Sequence, residues 1–152
     1  MSKLDEIDMK ILSALHEDAS VSVPELSKRL GLNLSVAYSR IKRLQRRGII
    51  ERFTIRVNEE KLGMRASGIA GLNIDPKLRE QVVKEIAKVP SVRIIREVTG
   101  RFDMLVMMRG ATLDELHKAV NDGIGKVPGV MHTELFIQVS RQLPPVQYRM
   151  GE

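Results

Sequence analysis

The sequence predicts an α+β protein, with an N-terminal helix-turn-helix domain followed by a ferredoxin-like domain of order βαββαβ. Three observations carry this. Apolar residues recur at steps of three and four through the first third of the chain, between recognisable helix caps. From residue 66 the rhythm changes to short β-rich runs alternating with helical ones. The charge is concentrated in one stretch: residues 35–56 hold seven basic side chains and one acid, a balance of +6 that equals the formal charge of all 152 residues.

The elements follow in order. Leu4, Ile7, Ile11, Leu12 and Leu15 set out one face of a first helix, with Asp5 as its cap and an end near Glu17. Ser22-Val23-Pro24-Glu25 reads as a capping box, Ser22 taking the Glu25 amide and Glu25 reaching back. Val21 and Leu26 form its hydrophobic staple, and Pro24 falls in the first turn, where a missing N–H costs nothing. This short second helix stops at Gly31. Asn33 caps a third helix and Gly48 ends it. Leu34, Ala37, Ile41 and Leu44 share the inner face of that helix. The outer face carries Arg40, Lys42, Arg43, Arg46 and Arg47, and no Asp or Glu occurs from residue 26 to 50. A short helix, a tight turn with glycine and a second helix with a polar outer face make the helix-turn-helix pattern. Burial of the inner stripe would hold the outer face out as a rod that fits a major groove.

Residues 49–58 alternate, with Ile50, Arg52, Thr54 and Arg56 on one side and Glu51, Phe53, Ile55 and Val57 on the other. They read as a strand leading away from the helix. A polar connection, 58–63, follows. Further strands are expected over 66–74, 92–99, 104–109 and 130–142. Asp75-Pro76 opens a helix with Leu78, Val82, Val83 and Ile86 inward, broken at Val89-Pro90. Thr112-Leu113-Asp114-Glu115 is a second capping box. It opens a helix with Leu113, Leu116, Val120 and Ile124 inward, broken at Val127-Pro128-Gly129. The expected organisation is a helix-turn-helix domain over 1–57, a linker over 58–64, the βαββαβ domain over 65–143 and a mobile tail over 144–152.

Composition excludes several functions. There is no cysteine, so no disulfide or thiolate chemistry, which fits a reducing compartment. The start carries no apolar signal core, and the longest apolar run, 104–108, is too short to cross a bilayer. The expectation is a cytoplasmic, nucleoid-associated protein with no membrane partner. Trp is absent and Phe plus Tyr number five, so stacking platforms for single strands are not expected. The basic helix then points to double-stranded DNA. His16, His117 and His132 are scattered without metal-ligand spacing, and no Ser-His-acid or paired-carboxylate arrangement stands out. No catalytic residue, metal or resident cofactor is expected. Gly123-Ile124-Gly125 follows a helix rather than a strand and is not a phosphate loop.

Within the basic helix the roles divide by position. A recognition helix reads bases with its N-terminal part, which gives Asn33, Ser35, Val36, Tyr38 and Ser39 that task. Arg43, Arg46 and Arg47 are expected as phosphate clamps, each phosphate contact steepening the log–log salt dependence of binding by about one unit, and Lys42 is expected on the same DNA-binding face. Arg40 has two readings: contact with phosphate or base edges, or pairing with an acid of the first helix such as Asp8.

Six landmarks occur in one order: Leu4-Asp5-x-x-Asp8-x-x-Ile11-Leu12, Arg40-Ile41-x-x-Leu44, Gly48-Ile49-Ile50, the linker 58–63, Gly100-x-x-Asp103 and Gly129-Val130. Together they resemble the Lrp/AsnC (feast/famine) family of bacterial and archaeal transcription regulators from residue 4 to about 143. The resemblance implies an N-terminal winged-type helix-turn-helix and a C-terminal ligand-sensing domain called RAM, similar to ACT domains. It implies dimers formed through the RAM sheet, often assembled further into tetramers, octamers or discs, and an amino-acid effector held in a cleft between dimers. By resemblance the turn of Gly100, Arg101, Phe102 and Asp103 lines that cleft. Asp103 would take the ligand's α-ammonium, with turn amides near its carboxylate, and the loop from Val127 to Thr133 would form the other wall. On its residue type alone Asp103 is a turn cap. Many members carry serine where this chain has Asn33, so the base preference does not carry over, nor does the effector's identity. Two rivals stand beside this reading. One is an architectural DNA wrapper without an effector. The other is an enzyme similar to tetrapyrrole decarboxylases, against which the concentrated basic helix and scattered histidines speak.

Overall fold

The computed structural model describes residues 3–151; Met1, Ser2 and Glu152, which begin and end the expected domains, lie outside the described residues. The chain divides into two compact units, one reaching Arg56 and including the segment from Gln142 onward, the other running Val57–Arg141.

The first unit holds α1 (Glu6–Glu17), α2 (Val23–Leu30) and α3 (Leu34–Arg46). Each start is capped as its sequence directs. At α1 the Asp5 carboxylate accepts the Asp8 N–H and the Asp8 carboxylate accepts the Asp5 N–H, a reciprocal box. At α2 only half of the expected box forms. Ser22 Oγ accepts the Glu25 N–H at 3.3 Å, but the Glu25 carboxylate turns to Arg29 one turn later, at 2.6 Å. Gly31 closes α2 in the left-handed region, φ 64°, and Asn33 caps α3. Ile11, Leu26, Ile41 and Leu44 form the core, with Ile7, Leu15, Leu30 and Ile49 packed around it. Leu34 departs from expectation: it is 43% exposed. As the first helical residue, its side chain leans back past the helix start, beyond the packed face.

The strand expected over 49–58 does not form. The segment is extended, but a strand needs a ladder partner, and none lies beside it among the described residues. Phe53, Ile55 and Val57 are therefore exposed, Ile55 to 82%. The tail touches α1, where the Tyr148 N–H donates to Ser13 Oγ at 2.9 Å and the Tyr148 ring meets His16 edge-on.

The second unit is a four-stranded sheet of β1 (Ala66–Ile74), β2 (Val92–Glu97), β3 (Met104–Gly110) and β4 (Val130–Ile137). Its order is β2-β3-β1-β4 and every neighbouring pair is antiparallel. After a 3-10 turn at Pro76–Leu78, α4 (Arg79–Ile86) follows β1. After β3 comes α5 (Leu113–Lys118), which continues as a π turn and then a 3-10 turn to Lys126. This is the βαββαβ arrangement. Alternate residues of β1 and β3, among them Ala70, Leu72, Met104, Val106 and Met108, face Val82 and Ile86 of α4 and Leu116, Val120 and Ile124 of the second helical segment.

Details differ from the sequence reading for local reasons. The second helix is irregular where Gly123 and Gly125 weaken helix propensity. Leu113, expected inward, is 48% exposed, again as a first helical residue. Thr112 Oγ takes the Glu115 N–H, yet Glu115 reaches the Ala111 N–H rather than that of Thr112. β2 ends at Glu97, and the bond from the Val98 N–H to the Asp103 carbonyl, which faces it in register, closes the β2–β3 ladder at the turn. β4 stops at Ile137, because β1 begins at Ala66 and the bond from the Gln138 N–H to the Ser67 carbonyl is the last rung available.

Candidate DNA-binding helix and effector turn

Residues on α3 advance by about 100° each. Ala37, Ile41 and Leu44 are buried, which places Ser35, Ser39, Lys42 and Arg46 on the opposite side, and all four are exposed. Val36 and Tyr38 flank this stripe, 37% and 47% exposed. Arg47, the C-cap residue, is also exposed. Asn33 Oδ1 accepts from both the Ser35 N–H at 3.0 Å and the Ser35 hydroxyl at 2.8 Å. The Ser39 hydroxyl donates to the Val36 carbonyl at 3.0 Å.

Arg40 and Arg43 do not belong to the outward stripe. Asp8 is completely buried on α1 and accepts from Arg40 Nη1 at 3.0 Å and Arg43 Nη2 at 2.7 Å. Asp5 also accepts from Arg40 Nη1, at 2.6 Å. Arg40 thus takes the second of its two readings. Arg43, expected as a phosphate clamp, is corrected to a brace between α3 and α1. The physical reason is that a buried carboxylate requires cationic partners, and positions 40 and 43 lie on the flank of α3 that meets α1. The Arg40 hydrogen bond, followed by the Asp8 amide, lowers the Asp5 carboxyl to about 2. Asp5 in turn raises the Arg40 guanidinium above its ordinary value.

The turn after β2 is tied across the sheet. Gly100 sits at φ 138°, a conformation that favours glycine. The Asp103 N–H donates to the Leu72 carbonyl at 2.8 Å, and Asp103 Oδ2 accepts the Ile74 N–H at 3.0 Å. Asn73 Nδ2 donates to the Arg101 carbonyl at 2.9 Å. Arg101 pairs with Glu134 of β4 at 3.0 Å, and its guanidinium lies 5.4 Å from the centre of the Phe102 ring. Phe102 is buried over Gly71, where an added Cβ would come within 2.7 Å of the ring. The structure therefore brings Gly100, Arg101, Phe102 and Asp103 together. It does not bring Val127 or Thr133 to them within one chain. Val127 packs into the core beneath the helices, and Thr133, opposite Leu72, has its methyl group near Gly125 on that same side. The β4 residue that joins the turn is Glu134, opposite Gly71.

Among the described residues no group of three or more His, Cys, Asp or Glu could hold a metal ion, and no helix is long and apolar enough to cross a membrane. Comparison with known families gives two matches. Winged helix-turn-helix DNA-binding domains match residues 4–51, and the Lrp/AsnC ligand binding domain matches residues 67–144. The chain belongs to the Lrp/AsnC family. It is a DNA-binding transcription regulator with a ligand-binding domain. An uncharacterised HTH-type transcriptional regulator of Pyrococcus abyssi is 34% identical over 138 residues, 91% of this chain and 87% of that one. The HTH-type transcriptional regulator FL11 of Pyrococcus furiosus is 34% identical over 141 residues, 91% and 93% of the two chains. Two solved structures share the fold. AsnC of E. coli covers 95% of this chain and 98% of its own, with TM-score 0.85 and 20% identity. A Neisseria meningitidis regulator solved in complex with L-Met covers 97% of each, with TM-score 0.89 and 23% identity.

In this Lrp/AsnC regulator, sequence reasoning missed Asn73, Ile74, Gly71 and Glu134 around the turn. Gly71 carried a usable signal, since an isolated glycine inside a strand marks a close approach. Glu134 carried none, because its partner is 33 residues away and set by strand register.

Proposed function

We propose that this Lrp/AsnC regulator binds duplex DNA through the outward face of α3, associates with itself, and answers to a small amino-acid-like effector at the turn of Gly100 to Asp103. It acts by binding rather than catalysis, in the cytoplasm. The observation that carries this is the outward face itself: Ser35, Ser39, Lys42 and Arg46 are exposed opposite a buried stripe, in a stretch without a single acid. Such a face meets phosphates with its basic half and base edges with its polar half. A dimer presents two such helices to half-sites about one helical turn apart, or a multiple of it.

Self-association is supported by the face of the sheet opposite the one on which α4 and the second helical segment of this unit pack. Ile94 and Phe136 are exposed there to 47% and 43%, beside half-buried Ile69, Leu105 and Met107. The effector reading is supported by the L-Met held by the Neisseria regulator and by the charge of Asp103. Its Oδ2 is engaged by the Ile74 amide, and Oδ1 is the atom offered to an ammonium. An effector acts only through unequal affinity for two states of the assembly.

The test uses fluorescence anisotropy on labelled duplexes across a salt series. Lys42→Ala with Arg46→Ala should lower the log–log salt slope by about two units for each protomer bound, about four for a dimer, similarly for every sequence. An unchanged slope overturns the assignment of α3. Asp103→Asn keeps an acceptor for the Ile74 amide and removes the charge. DNA binding should persist while the change in assembly mass caused by a pool of amino acids, read by light scattering, is lost. A retained response removes Asp103 from the site.

A further inference from the structure

Resting on the assignment of α3 as the DNA-reading helix, we propose that its N-terminal turns select A·T pairs directly, with Val36 reading the thymine 5-methyl group and Ser35 and Ser39 accepting from the adenine amino group. Three observations converge on this chemistry. Val36 is 37% exposed at the edge of the outward stripe and Leu34 43% at the helix start, while the inner-face side chains at 37, 41 and 44 are buried. The part of Val36 left in water is aliphatic, and a major groove offers one apolar group to meet it, the thymine methyl.

The second observation concerns the hydroxyls. The Ser35 proton is directed to Asn33 Oδ1 and the Ser39 proton to the Val36 carbonyl. Each hydroxyl keeps its lone pairs, so both present acceptors to the groove. Acceptors match the adenine N6 or cytosine N4 amino group and not the paired acceptors of guanine. A methyl next to an amino donor occurs on one kind of base pair: cytosine provides the donor without the methyl, whereas T·A provides both.

The third observation removes the usual guanine reader. Residues 33–39 contain no Arg or Lys. The first guanidinium after the cap, Arg40, is held by Asp5 and Asp8. The remaining cations on the outward stripe, Lys42 and Arg46, come one and two turns later, where they serve phosphates on either sequence. The N-terminal turns thus offer an apolar group and two acceptors and lack the bidentate donor that G·C recognition calls for.

The experiment uses the full chain. Its preferred duplex is first obtained by selection from a random library. Each thymine is then replaced singly by deoxyuridine, which removes only the methyl group, and affinities are measured for the parent, Val36→Ala and Val36→Thr. One thymine in each half-site should lose about fourfold in affinity on losing its methyl, the value of one buried methyl-sized group. That loss should vanish in Val36→Ala and largely persist in Val36→Thr, which keeps one methyl. Val36 is exposed, so both variants keep the fold, which circular dichroism verifies. If the selected half-sites place G·C where α3 inserts, or if no deoxyuridine costs affinity, or if the cost is the same in Val36→Ala, the proposal is overturned. Failure of the underlying reading looks different: no sequence is enriched at all, or the Lys42/Arg46 double variant binds with an unchanged salt slope.

Discussion

Asp8→Ala is the substitution whose consequences the structure specifies most closely. Asp8 is completely buried, while the Arg40 and Arg43 side chains keep 19% and 25% of their surface in water. Removing one member of a buried ion pair costs about 3–5 kcal/mol, because the remaining charge is left without compensation. The two guanidinium groups are partly solvated and Arg40 retains Asp5, so the lower end applies, about 3 kcal/mol. The Asp5 N–H also loses its acceptor, adding about 0.5 kcal/mol. For a unit of this size each kcal/mol lowers Tm by about 4–8 °C, so a fall of about 14–28 °C is expected. The assay is thermal unfolding of the full chain by circular dichroism, with hydrogen exchange of α1 and α3 peptides to place the loss. A second readout separates charge from packing. Arg40 and Arg43, once released, become available to phosphate, so the salt slope should steepen by up to about two units per protomer, about four for a dimer. A Tm within about 2 °C of the parent, together with an unchanged slope, would refute the brace.

Asp5 gives a pH prediction. Its carboxyl lies near 2 in the folded chain, below the ordinary 3.8. A depressed carboxylate adds stability above the unfolded value and loses it as pH falls towards the folded one. Asp5→Asn should therefore flatten the fall in stability between about pH 4 and pH 2 and leave behaviour above pH 5 similar in shape; an acid limb identical to the parent would remove Asp5 from it. Gly71→Ala should displace Phe102, since the new Cβ would meet the ring at 2.7 Å. Overpacking of this kind costs about 1–3 kcal/mol, and amide resonances of residues 100–103 should shift in NMR spectra. If those resonances stay in place, the ring over Gly71 is not what positions the turn.

What the sequence made legible follows the range of the interactions. Caps and stripes are local, so Asp5, Ser22, Asn33, Asp75 and Thr112 take the cap positions and Ala37, Ile41 and Leu44 are buried. The exceptions are Leu34 and Leu113. Both satisfy the helical spacing and both sit at the first helical position, where a side chain leans off the packed face. Alternation over 49–58 expressed strand propensity, but a strand is a pairing and not a property of one segment. The turn of Gly100 to Asp103 was legible as a motif. Its anchors on β1 and β4 were not, because they depend on the register that sets Gly71 opposite Glu134 and Leu72 opposite Thr133.

The position of the acids changes what the charge map means. Residues 35–56 carry +6 by count, yet Arg40 and Arg43 face Asp5 and Asp8 across the α1–α3 contact. The pairing separates two jobs that one basic helix would otherwise mix. Arg40 and Arg43 set the roll of α3 against α1, which decides whether Val36, Ser35 and Ser39 present their groups at the right angle to a base edge. In the complex proposed above, Lys42 and Arg46 on the outward stripe, with Arg52 and Arg56 on the exposed extended segment, would supply attraction that is indifferent to sequence. Specificity and affinity then become separately adjustable. A change at Asp8 should alter which sequences are preferred by rotating the reading face, and it should raise affinity for all of them by releasing cations. A change at Lys42 should lower affinity for all sequences and leave the preference as it was.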